Sequence, residues 1–477
     1  MADKNFNQFN QINPQRGDMI PYWKTSLNGA ARADLALFLT GATRFFAPVG
    51  FQGYADAYTT GVNDNVAIQA LLDQVGNLGG GRVFGYEGRY FISSRLKIPD
   101  NVEFFGVWMK TIFQKSAGIS NSRVLTNYDD VNGNTNIYMH DFIVDGNHEV
   151  GDTGITSNLA HVTSSLVERV KILNGMQGFK TDTCTDVTFR DCIADGNYNW
   201  NFYQFNGTRI KVHHSRSLNS KADVNEGFGM AFYANGDSNE AIGNYIFNSA
   251  HNGLQINAGT GSADVPGMIA RDNRIQNAGN RGIFVTDDGN TFHIKKLSVI
   301  NNRVWGSVSA GIYFIDAYDT DFWGNKSWNN TGDGIIFENV VNMLSQGNLS
   351  TGNNGVGMRV VGSGASIKSI GDMIYGQTNN YSPGIAATGI KIRNNDTFVT
   401  QNSGTGTINS GSTSVTVNHG LAVTPAASDI NVTLLASPTN DPGSIWISNI
   451  TSTQFTINCR NNPGTSGASL AWRAAVI

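Results

Sequence analysis

Three carboxylates recur at nearly the same position of a repeated segment in the middle of the chain. Asp287 and Asp316 each stand five residues after a glycine, and Glu338 stands four residues after the next such glycine. If the segments stack as neighbouring strands ~4.8 Å apart, equivalent carboxyl groups lie roughly 5 Å apart in adjacent segments and roughly 10 Å apart in alternate ones. Glycoside hydrolysis uses carboxyl pairs about 5–5.5 Å apart in retaining enzymes and about 6.5–9.5 Å apart in inverting ones.

We therefore predict Asp287, Asp316, Glu338 and the loop acid Glu226 as candidate catalytic residues. Asp287 with Asp316 suits the shorter separation, and Asp287 with Glu338, Glu226 or Asp264 suits the longer one. One acid of the pair must stay protonated and the other ionised. The alternative is that acids at strand ends only cap turns by accepting bonds from backbone N–H groups.

Four other side chains near these acids leave elimination open. A lyase needs a base beside a group that neutralises a uronate carboxylate. His251, Arg281, His293 and Tyr313 fall in or beside the same segments and could supply both.

Several residues nearby have side chains suited to holding a substrate. The aromatic ones project outward from the strand that follows each glycine, and we expect them to form one exposed column whose flat surfaces stack on sugar rings. Loop packing or subunit contact explains exposed aromatics equally well. The candidate substrate-binding residues are Tyr233, Phe284, Tyr313, His251, Arg281, Asp288 and Asp264.

The elements that must position these residues form a regular repeat. Its anchors are Asn244, Asn273, Asn302, Asn325 and Asn348, spaced 29, 29, 23 and 23 residues apart, and a glycine follows each anchor after nine residues. After each glycine, every second residue is apolar, and this period of two indicates a strand. Less regular segments before Asn244 place Arg169, Asp191 and Ser215 at the anchor position. This pattern predicts an all-β chain dominated by a parallel β-helix, with insertions in the longer coils marking its functional face.

The chain divides into three predicted regions. Residues 1–50 form a short N-terminal segment, 51–400 form the β-helix with a capping helix near 64–75, and 401–477 form a small β domain of alternating short strands. The helix would cover the open end of the first coil, as terminal repeats require.

Composition restricts the partners. A net charge of −4 with 15% charged residues gives no basic field, so we expect no nucleic-acid partner. No apolar run is long enough for membrane insertion, and no secretory leader is evident. The three cysteines are too few for a disulfide framework, so we expect core thiols. Asp316, Asp319 and Asp321 lack the spacing of a calcium loop, and we predict neither a metal nor a cofactor.

Four stretches resemble known families. Residues 61–106 and the segment HDFIVDGN (residues 140–147) look like the opening coils of pectate-lyase-like right-handed β-helix proteins. RGDMIPYWKTSLNGAARADLALFL, at residues 16–39, is similar to the particle-anchoring segments of bacteriophage tailspikes. The tail that begins SGSTSVTVNHGLAVTPAASD resembles the C-terminal domains of phage tail fibres and spikes.

The resemblance implies a virion protein of the phage tail that acts at the bacterial surface. It also implies a homotrimer, attached to a baseplate or tail adaptor through the N-terminal segment, whose partner is a capsule, exopolysaccharide or O-antigen. The leading hypothesis is a tailspike depolymerase that hydrolyses this glycan. A lyase of the same fold and a non-enzymatic receptor-binding spike stay open, whereas a cellular carbohydrate-active enzyme fits the front segment and the tail less well.

Overall fold

In the computed structural model, the main part of the chain winds into short coils of parallel strands, and each coil is stacked on the coil before it. The structure describes residues 42–476 except 54, 120–122, 150–151, 153, 223–225, 234–235, 259–264, 288–292, 363–365, 382–389, 394 and 396–397. Most of the predicted N-terminal segment, together with Asp264 and Asp288, lies outside these described residues.

One strand of each coil joins a parallel sheet that we call the groove sheet. Its strands are β5 (Leu96–Ile98), β8 (Leu125–Asn127), β10 (Ile155–Ala160), β12 (Gln177–Asp182), β15 (Trp200–Phe205), β18 (Phe228–Tyr233), β21 (Leu254–Asn257), β25 (Ile283–Thr286), β29 (Ile312–Ile315), β33 (Ile335–Glu338), β36 (Val356–Val361) and β39 (Asn379–Tyr381).

The remaining strands of most coils come in pairs and join a second parallel sheet, the bent sheet, which turns a corner between the two members of a pair. Its strands are β1 (Ala42–Ala47), β2 (Ala57–Tyr58), β3 (Gly81–Gly85), β4 (Gly88–Ile92), β6 (Val102–Phe105), β7 (Thr111–Lys115), β9 (Tyr138–Asp145), β11 (Thr163–Leu173), β13 (Thr185–Arg190), β14 (Ile193–Asp195), β16 (Lys211–His213), β17 (Arg216–Leu218), β19 (Glu240–Ile242), β20 (Tyr245–Phe247), β23 (Ile269–Arg271), β24 (Arg274–Gln276), β27 (Ser298–Ile300), β28 (Arg303–Trp305), β31 (Asp321–Trp323), β32 (Lys326–Trp328), β34 (Met343–Gln346), β35 (Leu349–Thr351), β37 (Ile367–Ile370), β38 (Met373–Tyr375) and β40 (Ile390–Arg393). A small third sheet contains β22 (Val265–Pro266), β26 (Ile294–Lys295) and β30 (Ala317–Tyr318).

This architecture is a right-handed parallel β-helix, which confirms the predicted fold class. Equal offsets from the repeated glycine become neighbours in the groove sheet, so Ile283, Ile312 and Ile335 stack in register and are fully buried. A glycine precedes each of these strands because the backbones approach closely there. A Cβ added at Gly282 would lie 2.6 Å from the carbonyl oxygen of Gly311.

The anchor asparagines form a buried ladder at the corner of the bent sheet. The backbone N–H and Nδ2 of Asn302 both donate to Oδ1 of Asn325, at 2.9 and 3.0 Å, and Nδ2 also donates to the carbonyl of Ala270 at 2.9 Å. The ladder continues through Asp372, whose Oδ1 accepts both bonds of Asn348 and whose backbone N–H donates to Oδ1 of Asn395 at 2.9 Å. The corner leaves backbone polar groups unpaired, and these side chains satisfy them.

The register before Asn244 differs by one residue from the sequence prediction. Ser215 does precede a strand in the anchor position, but the strand pairing puts Val170 and Cys192 there. Arg169 and Asp191 instead take the left-handed conformation just before the corner, at φ 48° and 54°. The prediction was wrong at these two coils because their inward residues are apolar and give no asparagine signal.

A single helix, α1 (Asn65–Asn77), packs against the first coils in the described part of the chain. Ile68, Leu71, Leu72 and Val75 form its buried face. The first strand already begins at Ala42 and pairs with β3, so the boundary expected at residue 50 falls after the start of the bent sheet.

The last part of the chain has its own core. β41 (Gln401–Ile408), β43 (Ile430–Leu434) and β46 (Ala468–Ala475) form one antiparallel sheet, β42 (Ser414–Asn418), β44 (Ile445–Ser448) and β45 (Gln454–Cys459) form another, and a 3₁₀ turn spans Ala427–Asp429. Phe455, Leu470 and Trp472 are buried between them. The three cysteines are buried and unbonded to one another. The described residues contain no helix with the length and hydropathy of a membrane-spanning segment.

Candidate functional site

The outward face of the groove sheet carries two rows of side chains that run along the helix axis. Gln255, Phe284, Tyr313 and Ile336 are in register in the first row. The second row lies two residues further along each strand and includes Asn257, Thr286, Ile315 and Glu338. Asp287 and Asp316 follow directly after the last residues of β25 and β29.

Tyr233 does not continue the column of Phe284 and Tyr313, contrary to the sequence prediction. It pairs with Asn257 and therefore belongs to the second row. Its ring packs edge-on against Tyr203 at 5.5 Å, and its hydroxyl accepts a bond from Nε2 of Gln255 at 2.8 Å. The period of two gave the correct face of the strand, but it does not distinguish one row from the next.

The structure brings Asp287, Asp316 and Glu338 together. Burial raises the pKa of Asp316, and the neighbouring charges of Asp287 and, to a smaller extent, Glu338 act in the same direction. Asp287 is only 3% exposed, so its side chain is almost entirely withdrawn from solvent. Since like charges this close resist joint ionisation, Asp316 is the carboxyl of the cluster biased toward the protonated form.

A histidine approaches this cluster from the next loop. Nδ1 of His293 lies 3.6 Å from the Asp287 carboxylate, and its ring stacks on Tyr318 at a centroid distance of 4.2 Å. Sequence reasoning proposed His293 only as a base for elimination and missed Tyr318. The pairing of Lys295 with Tyr318 puts the histidine beside this ring. This contact could not be predicted by counting residues from the repeated glycine.

Arg281 reaches over the aromatic residues of the first row. Its guanidinium carbon lies 4.1 Å from the ring centroid of Phe284 and 5.0 Å from that of Tyr313. The Tyr313 hydroxyl donates to the Glu338 carboxylate. Burial and this bond raise the pKa of Tyr313, so it remains a donor. The sequence led us to expect open faces on Phe284 and Tyr313, but the Arg281 guanidinium partly covers both rings. A substrate on this face therefore meets the cation before it meets the rings.

The opposite rim of the groove sheet holds His251. Its Nε2 lies 3.0 Å from Nδ2 of Asn280, and its ring packs edge-on against Phe228 at 5.0 Å. Burial and the nearby Arg281 charge lower its pKa, which keeps the imidazole neutral.

The structure does not bring Glu226 to the other acids. It precedes β18, at the end of the sheet away from Asp287, and β18 alone spans about 20 Å at ~3.3 Å per residue. Burial, together with the Glu226 charge, raises the pKa of Tyr203 to about 12, which places this acid near Tyr203 of the preceding coil.

A further ion pair on the face was missed from the sequence. Arg359 continues the first row one coil after Ile336 and pairs with Asp333 at 2.7 Å. The sequence did indicate where Arg359 lies, because Arg359 stands two residues after its repeated glycine, as Tyr313 does.

Taken together, the groove sheet presents a carboxyl group biased toward protonation, a second carboxylate bonded to a tyrosine, and a cation held on aromatic rings. A protonated acid beside an ionised one can act on a glycosidic bond by acid–base chemistry. The fold and this face define the class of protein, a right-handed parallel β-helix with an acidic, partly aromatic groove sheet.

Comparison with solved structures gives the same fold. The tailspike protein of E. coli bacteriophage HK620, solved with a pentasaccharide, has a TM-score of 0.55 at 12% identity over 87% of this chain and 90% of that chain. The Dettilon tailspike protein gives 0.52 at 14% identity over 88% and 92%. The A-module of the Azotobacter vinelandii mannuronan C-5 epimerase AlgE6 gives 0.53 at 19% identity over 70% and 96%.

The structural neighbours are thus phage tailspike proteins and alginate epimerases that share the right-handed parallel β-helix. At these identities the likeness establishes the fold alone. No protein-family model matches the sequence, and no curated protein matches it.

Proposed function

We propose that this chain is a phage tailspike that binds a bacterial surface polysaccharide and cleaves it by glycoside hydrolysis on the groove sheet. The observation that carries the proposal is the raised pKa of Asp316 beside two other carboxylates. Such a group is suited to donate a proton to the oxygen of a leaving sugar.

Burial assigns the roles within the cluster. Asp316 is the general acid, and Glu338, which is half-buried on the adjacent strand, is the second catalytic carboxylate. It attacks the anomeric carbon or activates the water that does so. Asp287 is too buried to contact a sugar and acts by keeping Asp316 protonated.

The substrate class follows from Arg281. Its guanidinium is held on Phe284 and Tyr313 and lies within electrostatic range of Glu338. A guanidinium binds carboxylates and phosphates with two parallel hydrogen bonds. We therefore propose a glycan with an acidic group next to the bond that is cleaved.

Activity of matched variants tests these roles. The purified chain is incubated with capsule or lipopolysaccharide of the host, and the products are followed by mass spectrometry. Wild type should release oligosaccharides that have gained one water, while D316N and E338Q should lose about 10²–10⁴-fold in rate. D321N removes an exposed acid from the same coil and should cleave normally. Equal rates for D316N, E338Q and D321N would exclude this cluster as the catalytic site.

Proton abstraction from a uronate is a second candidate, favoured by one observation. His251 has a lowered pKa and is influenced by the Arg281 charge, so a neutral base stands near a cation that could neutralise a carboxylate. Unsaturated products indicate a lyase, and solvent deuterium in uncleaved polymer indicates an epimerase. Either result moves the chemistry to His251, Arg281, His293 and Tyr313. Intact polymer that still binds with full affinity indicates a receptor-binding spike without activity.

The assembly is also part of the proposal. We expect a homotrimer that is attached to the phage tail through the N-terminal segment, with the C-terminal β domain helping assembly. Light scattering should give three times the 51.4 kDa mass of the chain. A monomer in solution would contradict the trimer.

A further inference from the structure

A column of positive charges runs along a different face of the β-helix, on the strands that follow the asparagine corner. Arg274, Arg303 and Lys326 occupy equivalent positions of β24, β28 and β32, and all three are exposed. Like charges directly opposite one another on neighbouring strands destabilise a sheet. Within the described part of the chain, none of the three forms an ion pair, and Asp272 in the same groove is engaged by Arg271 at 3.3 Å.

An aromatic column runs beside the cations, two residues further along the same strands. Trp305 and Trp328 are in register and stack on each other with their centroids 4.9 Å apart and their planes 13° apart. Arg274 and Trp305 border a groove of about 630 Å³ at the corner. A neighbouring hollow of about 300 Å³, which shares Arg274 and Asp272 with the groove, is lined by all three cations.

We propose that this face is a second glycan site, which binds an acidic polysaccharide chain lying along the axis of the β-helix. The cations repeat at the strand spacing of ~4.8 Å, so an extended polymer with regularly placed carboxylates meets one cation per coil. Arginine guanidinium groups match carboxylates in a planar, two-point geometry, and the tryptophan column supplies an apolar wall beside them. The inference does not rest on the proposed hydrolysis, because none of these residues belongs to the groove sheet.

Two other occupants fit this face less well. An interface between protein subunits would bury these cations, and a buried charge without a partner of opposite sign is strongly destabilising, whereas this groove is lined by exposed cations of one sign. Single-stranded nucleic acid binds by stacking bases on open aromatic faces. Trp305 and Trp328 already occupy one face of each other.

The test is a titration of the full chain with three probes, namely an oligogalacturonate, neutral dextran and oligothymidine. The variant R274Q/R303Q/K326Q removes the three cations of the column, and we call it the ladder variant; it leaves the asparagine ladder at the corner unchanged. The matched control, K368Q/R460Q/R473Q, removes three exposed cations from elsewhere on the chain. We expect wild type and control to bind oligogalacturonate equally, with an affinity that falls as salt is added. The ladder variant should bind it at least tenfold more weakly, and dextran should not bind at this face.

Each alternative outcome overturns the inference in its own way. Equal affinity of the ladder variant and the control, or no binding by wild type, removes the glycan site. A ladder-dependent preference for oligothymidine assigns the face to nucleic acid. A lower molecular mass of the ladder variant in light scattering assigns the face to contact between copies of this chain. Host-glycan cleavage by the ladder variant is measured in parallel, so a failure of the groove-sheet proposal is recognised separately.

Discussion

Replacing Asn302 with alanine tests whether the asparagine ladder, and not apolar stacking alone, holds the coils in register. Asn302 is fully buried. Its Nδ2 donates to the carbonyl of Ala270 at 2.9 Å, and its Oδ1 accepts the backbone N–H of Asn273 at 3.0 Å. Alanine removes both partners, and no described side chain is placed to replace them, because the neighbouring asparagines already serve the corners of their own coils.

The cost follows from the two backbone groups left unpaired. A buried donor or acceptor without a partner costs about 1–3 kcal/mol, so the N302A variant should lose about 2–6 kcal/mol of unfolding free energy. N379A changes an exposed asparagine of the same β-helix and should stay within about 0.5 kcal/mol of wild type. Urea denaturation followed by circular dichroism measures both. If N302A unfolds at the same urea concentration as N379A, the ladder does not hold the coils as argued.

Three further predictions concern charge. R281A should raise KM for an acidic substrate about 10–100-fold with little change in kcat, since a hydrogen bond to a charged group contributes about 1.5–3 kcal/mol; a carboxyl-reduced substrate should show no such difference. Cleavage should fall as pH rises through the raised pKa of Asp316, because the proton donor is lost, and D287N should move this limb of the pH–rate profile to lower pH; an unshifted limb would contradict the role of Asp287. Although burial opposes it, hydrogen bonds from Arg169 and a neighbouring histidine lower the pKa of Asp141 to about 2. The resulting stability, about 2 kcal/mol, is present above the ordinary pKa near 4 and is lost as pH falls toward 2, so urea midpoints of wild type should drop more steeply with acid than those of D141N.

The repeat explains how much of the site was predictable. Because stacked coils bring equal offsets together, the sequence indicated that Phe284 would lie beside Tyr313 and that Asp287 would lie near Asp316. The same reasoning identified Glu338 one position earlier on the next coil, where the structure has it. These are consequences of backbone periodicity alone.

Other features depend on side chains that cross from one element to another. Arg281 covers Phe284 and Tyr313 by reaching along the strand, and its offset from the glycine gives no sign of that path. The burial of Asp287 depends on packing around the end of its strand, which no spacing encodes. Glu226 was proposed because it lies in an insertion, but it stands three residues before Gly229, whereas the other acids follow their glycines. Its order relative to the glycine already indicated the opposite end of the strand.

The most direct test of the account is a crystal structure of the D316N variant soaked with an oligosaccharide of the host surface glycan. The account predicts a sugar on the outward face of the groove sheet, with its glycosidic oxygen within hydrogen-bond distance of the substituted side chain at position 316. The Glu338 carboxylate should face the anomeric carbon, and Arg281 should contact an acidic group of the same oligosaccharide. An oligosaccharide bound only elsewhere on the chain, with the groove sheet empty, would contradict the central claim.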